Sequence, residues 1–162
     1  MHEATVVLIL NSLGDRFLGG YQLRGPSGFK GRIMLPGGKV QRGQTPLTCA
    51  LTETFDETGL SIDARYTTKV GEFTSYLFDM PQYKVHVFRT LRFEGALCKT
   101  AEFSPDWYSV LRPPYDRMFP SDVFWFSAAV TDIPFAGDIY FNATYDDLKN
   151  VYIRRVVRSS FS

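Results

Sequence analysis

The sequence is short of cysteine, of net charge and of long apolar runs, and each shortage excludes a class of protein. Its 162 residues include only Cys49 and Cys98, too few for the disulfide framework of a small secreted domain and without metal-ligand spacing. A formal net charge of +1 at pH 7 gives no electrostatic basis for binding a nucleic-acid polymer. No apolar run approaches the roughly 20 residues that span a bilayer, and the polar start at residues 1–3 is not typical of a signal peptide. We therefore expect a soluble, cytoplasmic protein without a membrane partner.

Apolar residues are plentiful enough for one enzyme-sized core. They make up 44% of the chain, and 162 residues is a length typical of one domain rather than two. No repeat, low-complexity tract or linker divides the sequence. We expect a single domain over residues 1–162, and the sequence carries no signal for its oligomeric state.

Hydrophobic patterning predicts an α+β protein with many strands and two helices. Residues 5–11 and 16–24 are predicted to form an antiparallel hairpin around a turn at 12–15. Residues 151–158 are β-branched and basic, which favours an edge strand. The other predicted elements are strands at 32–35, 64–78, 84–93, 107–111 and 138–143, a join between the two long strands through residues 80–82, and a second helix at 122–131.

The most informative segment is a glycine turn followed by a short helix. Thr45 can cap the helix, Pro46 suits its first turn, and Gly59 can end it in the left-handed conformation. At about 100° per residue one face is acidic and the other packs against the protein. The acidic residues are Glu53, Asp56 and Glu57, and the packing residues are Leu47, Ala50, Leu51, Thr54 and Phe55.

Three carboxylates on one helix face repel one another unless a cation offsets their charge. Oxygen-only ligands suit a hard ion such as Mg²⁺ or Mn²⁺. The alternative is that these acids are simply solvated on an exposed face. Cys49 lies on the same arc, where a small, half-buried packing residue is the simpler interpretation.

This turn and helix resemble the Nudix box of the Nudix hydrolases. The family pattern sets a glycine, a loop glutamate, an Arg-Glu pair, a Glu-Glu pair and a final Gly-aliphatic pair at fixed spacing. In the family the loop glutamate and the arginine hold the loop against the helix, but here those positions are Gln44 and Thr52. A neutral Gln44–Thr52 hydrogen bond is the replacement that we expect, because it leaves no charge unpaired. Aligned without a gap, the chain matches at Gly38, Glu53, Glu57, Gly59 and Leu60, has Asp56 as a conservative replacement, and departs at Gln44, Thr52 and Thr54.

The resemblance extends along nearly the whole chain and is closest to the MutT-type oxidised purine nucleoside triphosphatases of animals. It implies the Nudix fold, an α/β/α sandwich with a mixed β-sheet between helices. The segments that carry it beyond the box are 4–10, 85–88, 101–108 and 117–126.

The resemblance also implies an activity, the Mg²⁺-dependent hydrolysis of purine or oxidised purine (deoxy)nucleoside triphosphates to a monophosphate and pyrophosphate. Such enzymes remove damaged nucleotides from the pool, and Mn²⁺ is a possible substitute for Mg²⁺. Divalent ions neutralise the phosphates while a water attacks phosphorus. Glu102 occupies the position of a further family acid, although an exposed loop acid is the alternative interpretation. The implied metal ligands are the Gly37 carbonyl, Glu53, Asp56, Glu57 and Glu102, with Glu53, Glu57 and Glu102 as the catalytic set.

Base recognition is where the chain departs most from the family. Met34 stands at the position of a base-reading asparagine, Phe119 at a tryptophan, and Ser121 and Asp122 at two aspartates. We expect Phe119 to stack on a base and Asp122 to read a donor edge, with altered discrimination between purines. Packing for Phe119 and a helix N-terminal charge for Asp122 are the alternatives. The other expected substrate-binding residues are Thr5, Gly37, Gly38 and the candidate phosphate contacts Arg24 and Lys39, which are as typical of ordinary surface cations.

Two functions from different classes remain. The first is the hydrolase, with a small-molecule nucleoside polyphosphate as its substrate. The second is a non-catalytic Nudix module that binds a nucleotide, an RNA end or a protein partner. Gln44 and Thr52 favour the second function, whereas acids at every metal position and at Glu102 favour the hydrolase, which we prefer.

Overall fold

Strands dominate the computed structural model, which describes residues 1–161. The two α-helices are α1 (Pro46–Thr58) and α2 (Phe126–Val130), and short 3-10 turns cover Ala64–Tyr66, Tyr115–Arg117, Asp122–Phe124 and Arg158–Ser160. No helix in this range is long and apolar enough to cross a membrane. The strands are β1 (His2–Ile9), β2 (Arg16–Gln22), β3 (Ile33–Met34), β4 (Gly37–Lys39), β5 (Ser61–Ile62), β6 (Thr68–Leu77), β7 (Met80–Thr90), β8 (Phe93–Glu94), β9 (Phe103–Ser109), β10 (Phe135–Phe141) and β11 (Leu148–Arg155).

The largest sheet has six strands in the order β11-β10-β6-β7-β1-β4. The pairs β1–β7 and β10–β6 are parallel, and the other neighbours are antiparallel. A second sheet has the order β3-β2-β9, and β5 pairs with β8. The predictions of a mixed sheet and of a C-terminal edge strand are both confirmed. The last residue of the predicted domain, Ser162, lies outside the described residues.

Helices pack on both faces of the six-stranded sheet because β1 alternates apolar side chains between them. Val7 and Ile9 belong to one buried cluster with Ala50 of α1. Leu8 faces the opposite side, in a cluster with Phe126 of α2. The predicted sandwich of a sheet between helices is thus confirmed.

The predicted hairpin between the first two strands is present only at its turn, where the Asn11 N–H donates to the Arg16 carbonyl at 3.0 Å and Leu10 pairs with Phe17 in an isolated antiparallel bridge. Beyond that bridge β1 and β2 separate, so the predicted pairing of the two strands is wrong. Both edges of β1 are already paired, one with β7 and the other with β4. β2 therefore pairs with β3 and β9 in the second sheet.

The long hairpin turns two residues earlier than predicted. Phe78 and Asp79 form the turn with φ values of 49° and 62°, the left-handed conformation that tight two-residue hairpins require. Pro81 lies inside β7, opposite Tyr76 at a register irregularity, and β1 begins its pairing with β7 only at Tyr83. The missing N–H of Pro81 therefore removes no bond to β1. The predicted strand start at Ala64 is also wrong, since residues 64–66 form a 3-10 turn.

The predicted second helix is divided at Trp125. This residue has φ −126° and ψ −20° and separates the 3-10 turn at Asp122–Phe124 from α2. Its indole is buried and stacks on Phe135 at 5.7 Å between ring centroids. Packing of this large ring in the core outweighs continuation of the helix.

The ends of α1 agree with prediction. The Thr45 side chain accepts a hydrogen bond from the Thr48 N–H at 3.1 Å, Pro46 is the first helical residue, and Gly59 has φ 78°. Two expectations about the helix faces are wrong. Phe55 is 55% exposed instead of packed, and Cys49 is fully buried instead of half-buried, because the helix packs through Cys49, Ala50, Thr54 and Thr58.

Candidate active site

The glycine turn brings the acidic face of α1 against β1. A Cβ atom on Gly37 would lie 1.9 Å from the Thr5 carbonyl oxygen, and one on Gly38 would lie 2.7 Å from the Glu53 carboxyl carbon. Only glycine fits either position without displacing backbone or an acidic side chain. The Gly37 N–H donates a hydrogen bond to Glu57 Oε1 at 2.8 Å, which fixes this carboxyl at the turn.

The predicted acids act on one another electrostatically. Burial raises the pKa of Glu57 to about 8, the Gly37 N–H opposes that rise, and the charges of Glu53, Glu102 and Asp56 add to it. Burial, Asp56 and Glu102 likewise raise the pKa of Glu53. The fold therefore gathers acids from α1 and from the segment before β9 into one field of negative charge.

The donor set fits a hard divalent cation, although residues 1–161 contain no group of three His, Cys, Asp or Glu side chains already set to hold a metal ion. Glu57 is disfavoured as an anion by its burial and by its acidic neighbours, and a nearby cation reverses both effects. Carboxylate oxygens are also the ligands that Mg²⁺ prefers. Of the predicted ligands, Glu53 and Glu57 are partly buried, whereas Asp56 and Glu102 are exposed.

A cavity of about 370 Å³ connects the acids to the predicted base-binding residues. Arg24 and Asp56 do not line it, and Arg24 is exposed. The predicted site residues that do line it are Thr5, Met34, Gly37, Gly38, Lys39, Glu53, Glu57, Glu102, Phe119, Ser121 and Asp122.

Thr5 and Cys49 contact each other, and Cys49 contacts the glycine turn. The Thr5 hydroxyl donates to Cys49 Sγ at 3.5 Å, and this thiol approaches the carbonyl oxygens of Gly38 and Lys39 at 3.6 and 3.4 Å. Burial raises the pKa of the thiol, which makes Cys49 a neutral packing group. The exposed Lys39 ammonium lies 5.9 Å from the ring centroid of Tyr83 at the edge of the cavity.

The predicted Gln44–Thr52 hydrogen bond is wrong. The Gln44 side-chain oxygen accepts instead from the Gln41 N–H at 2.9 Å. Thr52 is exposed on α1, and the described structure has no hydrogen bond between Gln44 and Thr52. Gln44 stabilises its own turn, because a short neutral side chain there reaches nearby backbone more readily than it reaches the helix.

Asp122 lines the same cavity as Glu53 and Glu57. Its carboxyl is buried, and this burial raises its pKa to about 7. Interactions with the Phe119 backbone, the Trp125 indole and Arg32 oppose the rise. The Trp125 N–H lies near the carboxyl, but it has no hydrogen bond of standard geometry in the described structure. Asp122 begins a 3-10 turn of only three residues, so a helix dipole is too small to explain its position.

Most of the aromatic lining was not predicted. Phe29, Tyr83, Trp125 and Tyr145 all line the cavity, yet they come from four separate segments without a common motif. The aromatic content of 15% was the available signal, but it does not specify which rings meet.

The sequence is similar to a family model and to curated proteins of two organisms. A family model described as NUDIX domain matches residues 1–127. The chain is 32% identical over 138 residues to the oxidized purine nucleoside triphosphate hydrolase of Mus musculus, and the match covers 85% of each chain. It is 30% identical over 102 residues to the protein of that name from Danio rerio, covering 62% of this chain and 64%, less than two thirds, of that relative.

The fold of this chain is also similar to the folds of solved structures. The MutT protein of Bacillus halodurans superposes with a TM-score of 0.80 at 19% identity, covering 94% of this chain and 97% of that chain. The MutT protein of Methanosarcina mazei Go1 gives a TM-score of 0.65 at 19% identity, covering 78% and 90%.

Proposed function

Because this chain belongs to the NUDIX domain family, we propose that it is a nucleoside triphosphate pyrophosphohydrolase that works with Mg²⁺ or Mn²⁺. Its products are a nucleoside monophosphate and pyrophosphate. The observation that carries this proposal is the position of Glu57, hydrogen-bonded to the Gly37 N–H at one end of the cavity and subject to the charges of Glu53, Asp56 and Glu102.

The acidic end of the cavity is where the polyphosphate is held. Glu53, Asp56, Glu57 and Glu102 would hold a divalent cation, which when bound would offset the phosphate charge and activate the attacking water. The hydrogen bond from the Gly37 N–H orients the Glu57 carboxyl before substrate arrives. Lys39, exposed at the edge of the cavity, adds a positive charge for the phosphates.

The other end of the cavity binds the base, with a purine or oxidised purine (deoxy)nucleoside triphosphate as the proposed substrate. The named activity of the mouse relative supports this class. Phe119 supplies a stacking face and Asp122 a buried carboxyl, whereas Met34 provides no hydrogen bond to a base. Fewer polar groups therefore read the base than in the family pattern, and we expect altered selectivity.

A second candidate function is a non-catalytic module that binds a nucleotide, an RNA end or a protein partner. The observation in its favour is that Gln44 accepts from the Gln41 backbone, so among the described residues no hydrogen bond joins Gln44 to Thr52, the two positions that hold the loop against the helix in the family. Glu53, Glu57 and Glu102, which line the cavity, favour the hydrolase, as does the neighbouring Asp56 on α1.

The test is hydrolysis of a panel of nucleoside di- and triphosphates with Mg²⁺ or Mn²⁺ by the wild type and by Glu57→Gln. Loss of a major electrostatic or acid–base group is expected to lower turnover by at least about a hundredfold. Glu94→Gln is the matched control, because Glu94 is exposed on β8 and does not line the cavity. A wild type that cleaves no nucleotide would reject the hydrolase and favour the binding module. A fully active Glu57→Gln protein would reject the role proposed for Glu57.

A further inference from the structure

Three aromatic rings from three loops form one wall of the cavity. Phe29, Phe119 and Tyr145, here called the aromatic wall, all lie outside helices and strands and all line the cavity. Their ring centroids are 5.3, 5.5 and 5.8 Å apart, with interplanar angles of 70–79°. Edge-to-face contacts of this kind stabilise one relative arrangement of the rings. Sheet pairing does not fix that arrangement, so another contact must hold the three loops in register.

Arg32 makes a contact with each of these loops. Its Nε donates to the Gly28 carbonyl at 2.6 Å, its Nη1 to the Met118 carbonyl at 3.1 Å, and its Nη2 to Asp146 Oδ1 at 2.5 Å. The partners are next to Phe29, Phe119 and Tyr145 in the sequence. The guanidinium carbon also lies 4.5 Å from the centroid of the Phe119 ring, within the range of a cation–π contact.

The environment of Arg32 is that of a fixed group and not of a mobile surface cation. Its side chain is 11% exposed, and the residue directly precedes β3, which pairs with β2. A planar guanidinium can direct donors to several acceptors and stack on a ring at the same time, whereas a lysine ammonium cannot reproduce that geometry. The Asp146 side chain is 78% exposed, so the Arg32–Asp146 ion pair contributes little stability as a charge interaction. Its effect is to fix the position of the loop that carries Tyr145.

We propose that Arg32 is a positioning residue for base recognition, which holds Phe29, Phe119 and Tyr145 in the one arrangement that accepts a planar base. This inference rests on the proposed function for the nature of the ligand. Arg32 does not line the cavity and acts through the rings. A small displacement of a binding group can cost a large factor in productive binding. Loss of the guanidinium geometry should therefore weaken recognition of the base and leave recognition of the sugar phosphate intact.

The test compares binding of four deoxynucleoside monophosphates with binding of 2-deoxyribose 5-phosphate, which lacks a base. Arg32→Lys keeps the charge and loses the planar donor set. Asp146→Asn weakens the hydrogen bond at one anchor, because a neutral amide oxygen is a weaker acceptor than a carboxylate, and the fold tolerates it because the side chain faces solvent. Arg65→Lys is the matched control, since Arg65 also pairs with an aspartate and lies over a tyrosine ring, but away from the cavity.

We expect Arg32→Lys to raise the Kd of the best-bound monophosphate by about tenfold, the order of effect of a displaced binding group, and Asp146→Asn to raise it by about threefold. The affinity of Arg32→Lys and Asp146→Asn for 2-deoxyribose 5-phosphate should stay within about twofold of wild type. The affinity of Arg65→Lys should stay within about twofold for both the monophosphate and 2-deoxyribose 5-phosphate. For a triphosphate that the protein hydrolyses, Arg32→Lys should raise KM and leave kcat unchanged, as expected when the lost interaction is equally strong in the ground state and the transition state.

Several results would overturn the inference. These are unchanged monophosphate binding by both Arg32→Lys and Asp146→Asn, an equal loss of affinity for the base-free ligand, and a wild type that binds no monophosphate better than 2-deoxyribose 5-phosphate. The binding measurements need no turnover. A wild type that binds a monophosphate selectively but hydrolyses no triphosphate would therefore reject the proposed function and leave the inference on Arg32 decided by its own variants.

Discussion

Replacing Glu57 with glutamine removes a partly buried carboxyl whose pKa is about 8 in the folded protein and 4.5 ordinarily. A pKa raised by folding means that the folded state binds more protons between these values, so stability falls as pH rises from about 4.5 to about 8. The separation is about 3.5 pH units, and at 1.36 kcal/mol per unit the cost of ionising Glu57 in the folded, metal-free protein has a ceiling of about 5 kcal/mol. Glu57 retains some solvent contact, which lowers the expected cost to about 2–4 kcal/mol.

Glutamine keeps an oxygen that can accept from the Gly37 N–H and has no charge to desolvate. In EDTA, Glu57→Gln is therefore expected to be more stable than wild type by about 2–4 kcal/mol at pH 8 and within about 1 kcal/mol at pH 5. Urea unfolding at the two pH values measures both differences. Asp56→Asn is the control, because Asp56 is exposed on the same helix. Equal stability of wild type and Glu57→Gln at pH 8, or the same difference at both pH values, would show that folding does not raise the pKa of Glu57.

Two further outcomes follow from buried titratable groups. The Lys69 Nζ atom lies 2.9 Å from His86 Nδ1, and Glu3 Oε1 lies 3.1 Å from His86 Nε2. Burial and the charges of Lys69 and Lys84 lower the pKa of His86, whereas Glu3 opposes that shift. Its contribution to stability is present above the ordinary value near 6.5 and is lost as pH falls through the lower folded value. His86→Gln, which can accept and donate without titrating, should reduce the loss of stability measured by urea unfolding between pH 7 and pH 5; an unchanged loss would exclude His86 as its source. Asp122→Ala should lower kcat/KM for the preferred base by roughly tenfold, the effect of one buried hydrogen bond to a charged group, and should narrow the kinetic differences among bases; unchanged selectivity would place base recognition elsewhere.

The parts of the site that were predictable from sequence depend on local structure. Thr45, Pro46 and Gly59 act within a turn of the helix ends, so their types are enough to bound α1. Helical periodicity then places Glu53 and Glu57 on one side of the helix. The close approach of Gly37 to Thr5 was not visible, but the resemblance to the Nudix box pointed to the same turn.

The parts that were not predictable depend on contacts between distant segments. The first two strands have the sequence of a hairpin, and only the pairing of β1 with β4 and β7 explains why they separate. Alignment with the Nudix box placed Gln44 and Thr52 at the positions of the family's loop glutamate and helix arginine. It did not reveal that the Gln44 side chain accepts from the Gln41 N–H instead. Arg32 contacts Met118 and Asp146, 86 and 114 residues away, and no local pattern carries that information.

The proposed hydrolase cleaves a nucleoside triphosphate between its α and β phosphorus atoms. Phosphorus-31 NMR of a purine deoxynucleoside triphosphate incubated with the wild-type protein and Mg²⁺ distinguishes this cleavage from any other. We expect equal amounts of nucleoside monophosphate and pyrophosphate, no products in EDTA, and at least about a hundredfold slower release by Glu57→Gln. Release of orthophosphate with a nucleoside diphosphate, or no cleavage of any purine triphosphate, would contradict this proposal.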